Sequence, residues 1–115
     1  MSSQFYWHRL KYYPYRREIK FLCQRLVRGW SDDETFSLDY SLAKLILPRL
    51  KRFRELTIGV PSGMTQQEWH HILDQMIDAF EFASGDDYWN ATPEDYQQHH
   101  QGFDLFAKHY YALWW

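Results

Sequence analysis

The segment from Thr65 to Gly85 carries the strongest amphipathic pattern in this chain of 115 residues. Its large apolar residues recur at the spacing of a helix face: Trp69, Ile72, Leu73, Met76, Ile77 and Phe80. A period of about 3.6 residues predicts a helix with one side in the core. Thr65 and Glu68 stand in the order of a capping box at the start, and Gly85 provides the stop.

A first helix is predicted from Tyr15 to Arg28 and is followed by Gly29. Its apolar stripe consists of Ile19, Leu22, Cys23 and Leu26. Because the cysteine lies within this stripe, we expect it to be a core residue rather than a reactive thiol. The segment Ser31–Glu34 is rich in groups that cap backbone donors, which predicts a turn or one short helical turn.

A second helix is predicted from Ser37 or Leu38 to Leu56, with Pro48 inside it. Its expected buried stripe is Leu38, Leu42, Leu45, Ile46, Phe53 and Leu56. A proline in a helix interior removes one hydrogen bond and clashes with the preceding turn, so a kink is expected. Two shorter helices that meet at Leu47-Pro48 are the alternative.

Two loops, Gly59–Gly63 and Asp86–Ala91, separate the remaining helices. The fourth helix begins with Thr92 as its cap and Pro93 in the first position. Its stripe is Tyr96, His99, Phe103, Phe106, Tyr110 and Leu113. No stretch shows the alternation of a strand. The sequence therefore predicts an all-α fold, a compact single-domain bundle of four main helices over residues 1–115, with the second helix kinked.

The composition points to a globular protein that has aromatic residues to spare. Six Trp, nine Tyr and eight Phe make up 20% of the chain, more than so small a core is expected to absorb. Some of them should therefore lie on a partner-binding surface. One cysteine excludes an internal disulfide, and no apolar run suits a signal peptide or a membrane span. We expect a protein of the cytoplasm that makes no use of the membrane.

Charge is divided sharply along the chain. Residues 1–57 hold 12 of the 13 basic residues and six acids, a balance of +6, whereas residues 58–115 hold one basic residue and nine acids, a balance of −8. The basic half could bind nucleic acid or a nucleotide, or dock on an acidic partner protein. It could equally form an internal interface, in which the basic second helix lies beside acids of the third.

Three segments carry a resemblance. They run from Phe36 to Glu55, from Pro61 to Trp69 and from Ile72 to Glu81, and they contain Leu-Pro-Arg-Leu-Lys, Pro-Ser-Gly-Met-Thr and Trp-x-x-Ile-Leu-Asp in this order. The pattern resembles small proteins encoded by tailed bacteriophages and related prophages, over about residues 25–83. The resemblance implies the product of a phage accessory gene that acts in the host bacterial cytoplasm. Such genes often encode inhibitors of host enzymes or of defence systems.

Chemistry-bearing patterns are weak in this sequence. Glu68 and His71 have the Glu-x-x-His spacing of carboxylate-bridged metal bundles, but the second such motif is missing. A zinc site made of His71, Asp74 and a histidine of the fourth helix is the remaining metal alternative. No nucleophile elbow and no phosphate-binding glycine loop is present. We therefore expect no enzymatic activity, no cofactor and no bound metal.

The residue types favour an interaction protein that binds and inhibits or redirects a host bacterial protein. The predicted partner-binding residues are Tyr12, Tyr13, Arg16, Arg17, Tyr88 and Trp89, since aromatic and arginine side chains dominate binding hot spots. Tyr88 and Trp89 could instead form a hydrophobic staple ahead of the fourth helix. The alternative function is binding of nucleic acid or a cyclic nucleotide, with Arg49 and Arg52 as anion ligands. The oligomeric state is left open.

Overall fold

The computed structural model describes residues 15–114, and within that range it contains four main helices and no strand. We number the helices α1 (Tyr15–Arg28), α2 (Leu38–Leu56), α3 (Gln66–Ser84) and α4 (Pro93–Lys108). Short 3-10 turns occur at Asp32–Thr35, Tyr88–Asn90 and Tyr110–Ala112. The predicted all-α class is confirmed. Packing divides the chain into two compact units, with the boundary between Leu38 and Asp39, and the single-domain organisation stays a prediction.

The first unit contains α1 and the 3-10 turn that follows it. Gly29 ends α1 with a φ of 87°, and its N–H donates to the Arg25 carbonyl. The turn is tied back to the helix through Asp32, which exchanges two hydrogen bonds of 2.7 Å with Gln24 and accepts another from Arg28. The predicted turn at Ser31–Glu34 is confirmed, because a 3-10 helix runs from Asp32 to Thr35.

The apolar stripe of α1 is exposed, contrary to the expectation that it lies in the core. Ile19, Leu22 and Leu26 are all solvent-accessible, and so is Cys23. The interpretation of Cys23 as a core residue is therefore wrong. An amphipathic face is buried only where another element covers it, and periodicity in the sequence does not show which element that is.

The helices of the second unit begin where their caps predicted. The Thr65 hydroxyl accepts the N–H of Glu68 at the start of α3, and the Thr92 hydroxyl accepts the N–H of Asp95 at the start of α4. Asp95 also accepts the Thr92 N–H, which completes a capping box. At α3 the reciprocal bond differs from the prediction, because the Glu68 carboxylate accepts the Thr65 hydroxyl, 3.1 Å away, rather than its amide.

The core of the second unit is built on α3. Trp69, Leu73 and Met76 are at most 1% exposed, and Phe80 continues the same face. Phe80 meets two rings of α4, Phe103 and Phe106, edge to face with centroids 5.2 and 5.0 Å apart. Ala43 and Leu50 of α2 complete the buried cluster. The face predicted for the third helix is therefore confirmed as the centre of the core.

Gly102 sets the closest approach of α3 and α4. A Cβ at this position would lie 2.4 Å from the Gln75 carbonyl oxygen and 2.5 Å from the Ala79 Cβ. Only a residue without a side chain fits there, although glycine weakens a helix interior by about 1 kcal/mol. The pairing of Gly102 with Ala79 lets the aromatic rings on either side interdigitate.

Helix α2 runs unbroken from Leu38 to Leu56 through Pro48, so the alternative of two shorter helices is wrong. The kink stays a prediction. The buried face agrees with the expected one only in part, since Ile46 and Phe53 pack against the core as predicted. Ala43 and Leu50 are buried, whereas the leucines that were expected in the core are exposed: Leu38, Leu42 and Leu45. Apolar residues surround most of α2, and the core takes the side on which the small Ala43 allows close packing.

Candidate interaction surface

Residues of α2 at the edge of the core form one wall of an open groove. We call it the α2 groove, and it has a volume of about 600 Å³. Its lining residues are Ile46, Arg49, Leu50, Arg52, Phe53 and Leu56 of α2, Phe106 of α4, and Leu113 and Trp114 near the C-terminus. The floor of the groove is the edge of the core, because Leu50 and Phe106 line the groove and also pack in the core. Apart from the two arginines, every lining residue is apolar.

A second groove adjoins the first. Its volume is about 690 Å³, and we call it the loop groove. It is lined by residues 58–62 of the loop between α2 and α3, and by Lys108, His109, Tyr111, Ala112 and Trp114. Trp114 lines both grooves. Together the two grooves form the Trp114 surface.

Large apolar side chains on the Trp114 surface are highly exposed to solvent. Ile58 is 88% exposed, Tyr111 90% and Trp114 75%. Monomeric proteins seldom expose apolar side chains in contiguous patches, and such patches typically mark binding sites. Tyr111 and Trp114 are thus exposed, as expected of some surplus aromatic residues, and that a partner binds them stays a prediction. The sequence did not single out either of them as a binding residue.

The C-terminal segment reaches this surface because α4 stops early. The predicted stripe of the fourth helix continued to Leu113, but α4 ends at Lys108 and a 3-10 turn covers Tyr110–Ala112. The tighter turn changes the direction of the chain. Leu113 therefore lines the α2 groove from outside the helix and still packs against the core.

The basic residues of α2 are mostly paired. Lys51 lies 2.9 Å from Glu81 and Arg54 lies 2.6 Å from Asp74, both on α3. The expectation that the basic second helix packs beside acids of the third is confirmed by these two pairs. Arg52 binds Glu55 of its own helix at 2.7 Å. All three pairs are at least partly exposed, so each contributes only about 0–1 kcal/mol to stability.

Arg49 and Arg52, the anion ligands of the alternative function, both line the α2 groove. The structure thus brings them to one site, as that alternative requires. Arg49 donates a hydrogen bond of 2.7 Å to the Leu45 carbonyl, next to the place where Pro48 interrupts the backbone ladder of the helix. None of the described carboxylates forms an ion pair with Arg49.

The N-terminal part of the predicted partner site is only partly described. Tyr12 and Tyr13 lie outside the described residues. Arg16 and Arg17 are exposed on α1, and the Arg17 guanidinium lies 5.8 Å from the centre of the Phe21 ring. Arg28, at the end of α1, contacts residues close to it in the sequence. It donates a hydrogen bond to Asp32, and its guanidinium lies 3.8 Å from the centre of the Trp30 ring.

Tyr88 and Trp89 occupy the 3-10 turn between α3 and α4 and differ in exposure. The Tyr88 hydroxyl donates to Asp39 Oδ2 over 2.5 Å, and its ring meets Phe82 and Tyr96 edge to face. This bond lowers the pKa of Asp39 and raises the pKa of Tyr88 to about 12. These contacts favour a structural role for Tyr88. Trp89 is 59% exposed and remains open to a partner.

The histidines are divided between solvent and local partners. His99 stacks on Phe82 and lies 2.9 Å from Asp78, while His100 lies 3.4 Å from Asp104. His99 also lines an acidic pocket of about 310 Å³ with Asp78, Glu81, Asp86 and Asp87. In the part of the chain that the structure describes, no three potential ligands are grouped to hold a metal ion. The zinc alternative with Asp74 is not supported, since Asp74 pairs with Arg54.

His109 is the histidine of the Trp114 surface. It caps the C-terminus of α4, and its ring meets the buried Trp69 nearly perpendicularly at 5.7 Å. Burial lowers its pKa, and the neighbouring Lys108 lowers it further. The neutral imidazole is therefore the favoured form beside the loop groove.

Comparisons with protein-family models, with curated proteins and with solved structures found no match for this chain. Among residues 15–114, no helix has both the length and the apolar character needed to cross a bilayer.

Proposed function

We propose that this protein is a non-enzymatic interaction protein that binds a partner protein through the Trp114 surface. The observation that carries the proposal is a single exposed tryptophan that lines two adjoining apolar grooves. Tryptophan, tyrosine and arginine are the residue types that most often dominate binding energy, and all three occur here as Trp114, Tyr111 and Arg49. The resemblance to phage proteins supports a host bacterial protein as the partner, bound so as to inhibit or redirect it.

The proposal keeps the class of function expected from the sequence and changes the surface. Tyr88 is engaged with Asp39, which leaves it little freedom to serve as a hot spot. Trp89 is exposed, its aromatic neighbours among the described residues are Tyr88 at 5.5 Å and Tyr40 at 6.1 Å, and it lines neither groove. A concave site that can desolvate its contacts is better suited to binding than an isolated exposed ring.

Nucleic-acid or nucleotide binding is the second candidate, because Arg49 and Arg52 line one groove. Against it, the other described lining residues of that groove are apolar, and the Trp114 indole N–H is their one side-chain group that could bond a base. Arg52 is also paired with Glu55. The two candidates differ in their response to salt, since a polyanion complex loses orders of magnitude in affinity as salt rises.

Affinity capture from a host lysate, followed by calorimetry with the purified partner, tests the proposal. Trp114→Ala should weaken the complex by about 2 kcal/mol, or roughly 30-fold. Trp89→Ala is the matched control, because it removes an equally large exposed ring elsewhere in the same unit. It should leave the affinity within about twofold of the wild type.

Three outcomes would contradict the proposal. A complex that survives Trp114→Ala but is lost with Trp89→Ala would return the binding site to the residues predicted from sequence. A complex lost only when Arg16 and Arg17 are replaced by alanine would place it on α1. Capture of DNA, RNA or a cyclic dinucleotide that disappears between about 0.05 and 0.5 M salt would favour the second candidate.

A further inference from the structure

The α2 groove has the dimensions of a site for a short helix. Its α2 wall extends from Ile46 to Leu56, and ten helical residues rise about 15 Å. Leu113 and Trp114 line the groove from the C-terminal segment, and Phe106 lies on its floor. A ligand helix that presents apolar side chains at i, i+4 and i+7 spans about 10.5 Å. Three such side chains therefore fit along the wall.

The groove offers nothing to an extended peptide. Strand addition needs a row of unpaired backbone N–H and C=O groups, and the α2 wall is a helix whose backbone groups are largely paired within it. The described residues contain no strand whose edge could be extended. A helical ligand satisfies its own backbone groups, so it can enter an apolar groove without leaving donors and acceptors unpaired.

The charge at the groove selects for an acidic ligand. Among residues 15–114, Arg49 and Arg52 are the charged residues that line it. Arg49 has one bond to the Leu45 carbonyl, and a guanidinium carries five N–H donors, so most of them are available to a carboxylate. The pair of Arg52 with Glu55 is exposed by 65% and 63%, and such weak pairs exchange readily for a new partner.

We propose that the α2 groove binds an amphipathic, acidic helix of the partner protein. Two or three large apolar side chains of that helix fill the space between α2 and Trp114, and a glutamate or aspartate pairs with Arg49. This inference rests on the proposed function, because it names the partner element that the Trp114 surface receives.

Fluorescence anisotropy with the full-length chain tests the inference. The first labelled peptide is a hydrocarbon-stapled helix of about 14 residues, with leucines at i, i+4 and i+7 and glutamates on one flank. The second has lysines in place of the glutamates. The third keeps the composition of the first but contains two central prolines in place of the staple, which prevents a helix.

The glutamate helix should bind about tenfold more tightly than the lysine helix and than the proline peptide. Arg49→Glu should reverse the preference between the two helices, which a purely structural role of Arg49 would not do. Lys44→Glu makes the same change of charge on α2 at a residue that does not line the groove. Lys44→Glu should change the affinity for either helix by no more than about twofold. Trp114→Ala should weaken the binding of both helices.

Each of the following results would overturn the inference. Equal affinity for the glutamate and lysine helices would show that Arg49 does not select an acidic ligand. Equal affinity for the glutamate helix and the proline peptide would show that the ligand need not be helical. Displacement of the glutamate helix by stoichiometric dodecanoate would identify a site for amphipathic anions. A dimer in sedimentation analysis that dissociates with Trp114→Ala would make a second copy of this chain the occupant.

The inference and the proposed function can fail separately. A captured partner that needs Trp114 but binds equally well to the wild type and to Arg49→Glu would leave the proposed function intact and reject the acidic helix. Selective binding of the glutamate helix, without any captured partner that depends on Trp114, would reject the proposed function as stated.

Discussion

The Tyr88 hydroxyl donates a hydrogen bond to Asp39 Oδ2 over 2.5 Å, and the two residues are 49 positions apart in the sequence. Asp39 lies in the first turn of α2, and Tyr88 lies in the 3-10 turn between α3 and α4. The bond therefore holds the start of α2 against the connection between α3 and α4. Because α2 supplies one wall of the α2 groove, this contact helps to hold the groove in shape.

Tyr88→Phe should lower the free energy of unfolding by about 0.5–1 kcal/mol, as expected for one hydrogen bond to an exposed carboxylate. Urea denaturation followed by circular dichroism measures the change. Tyr111→Phe, which alters a tyrosine that is 90% exposed, is the control and should change stability by less than about 0.5 kcal/mol. No difference between the two variants would show that the bond contributes nothing.

The same bond predicts the pH values at which the wild type and Tyr88→Phe no longer differ in their free energy of unfolding. Asp39 has a folded pKa below its ordinary value of 3.8, so its contribution is present above 3.8 and is lost as the pH falls through the folded pKa. Tyr88 has a pKa raised from 10.0 to about 12, so its contribution is present below pH 10 and is lost between 10 and about 12. Unfolding curves at pH 3, 7 and 11 measure both limits.

Gly102→Ala should destabilise the second unit by about 1 kcal/mol, and by about 2 kcal/mol at most. The new Cβ would lie 2.4 Å from a backbone oxygen that cannot move without displacing α3. Overpacking of this kind costs about 1–3 kcal/mol, and the better helix propensity of alanine offsets about 1 kcal/mol of it. Thermal unfolding measures the result. Gly59→Ala, where a Cβ meets nothing within 4 Å, should be nearly neutral, and equal losses would contradict the argument.

Trp69→Ala should cost about 3–5 kcal/mol, because it removes the largest buried side chain of the core. The loss can exceed the whole stability of a small domain, so the variant should unfold at much lower urea concentrations or fail to fold. Trp89→Ala removes an equally large but exposed ring and should cost less than about 1 kcal/mol. Similar midpoints for the two variants would show that Trp69 is not central to the core.

Local signals in the sequence were sufficient to predict the helices. A threonine cap, a proline at the first position and a terminal glycine each act on a helix end that is at most four residues away. The predicted bounds of α1 agree with the structure. The buried face of α2 was predicted only in part, with Ile46 and Phe53 right and Leu38, Leu42 and Leu45 wrong, because apolar residues surround most of that helix. Which side is covered depends on α3, which follows ten residues later in the chain, and on the small volume of Ala43.

The candidate surface could not be predicted for a related reason. Leu113 and Trp114 follow the period of α4, so they resemble a continuation of its core face. The break after Lys108 brings both to the grooves, although Leu113 still packs against the core, and no proline or glycine marks that break. Gly102 was a readable signal, since glycine in a helix interior usually has a packing reason, but the sequence does not name the helix that approaches it.

His109→Gln should make the stability of the protein less sensitive to acid. Burial and then Lys108 hold the pKa of His109 below 6.5, so the folded state favours the neutral ring. The contribution is present above pH 6.5 and is lost as the pH falls through the folded pKa, because the unfolded chain binds the proton more readily. Urea midpoints at pH 7.5 and 5.5 should therefore differ less for His109→Gln than for the wild type. Lys108→Gln removes the second cause and should produce an intermediate difference, whereas identical differences in all three proteins would exclude His109 as the source.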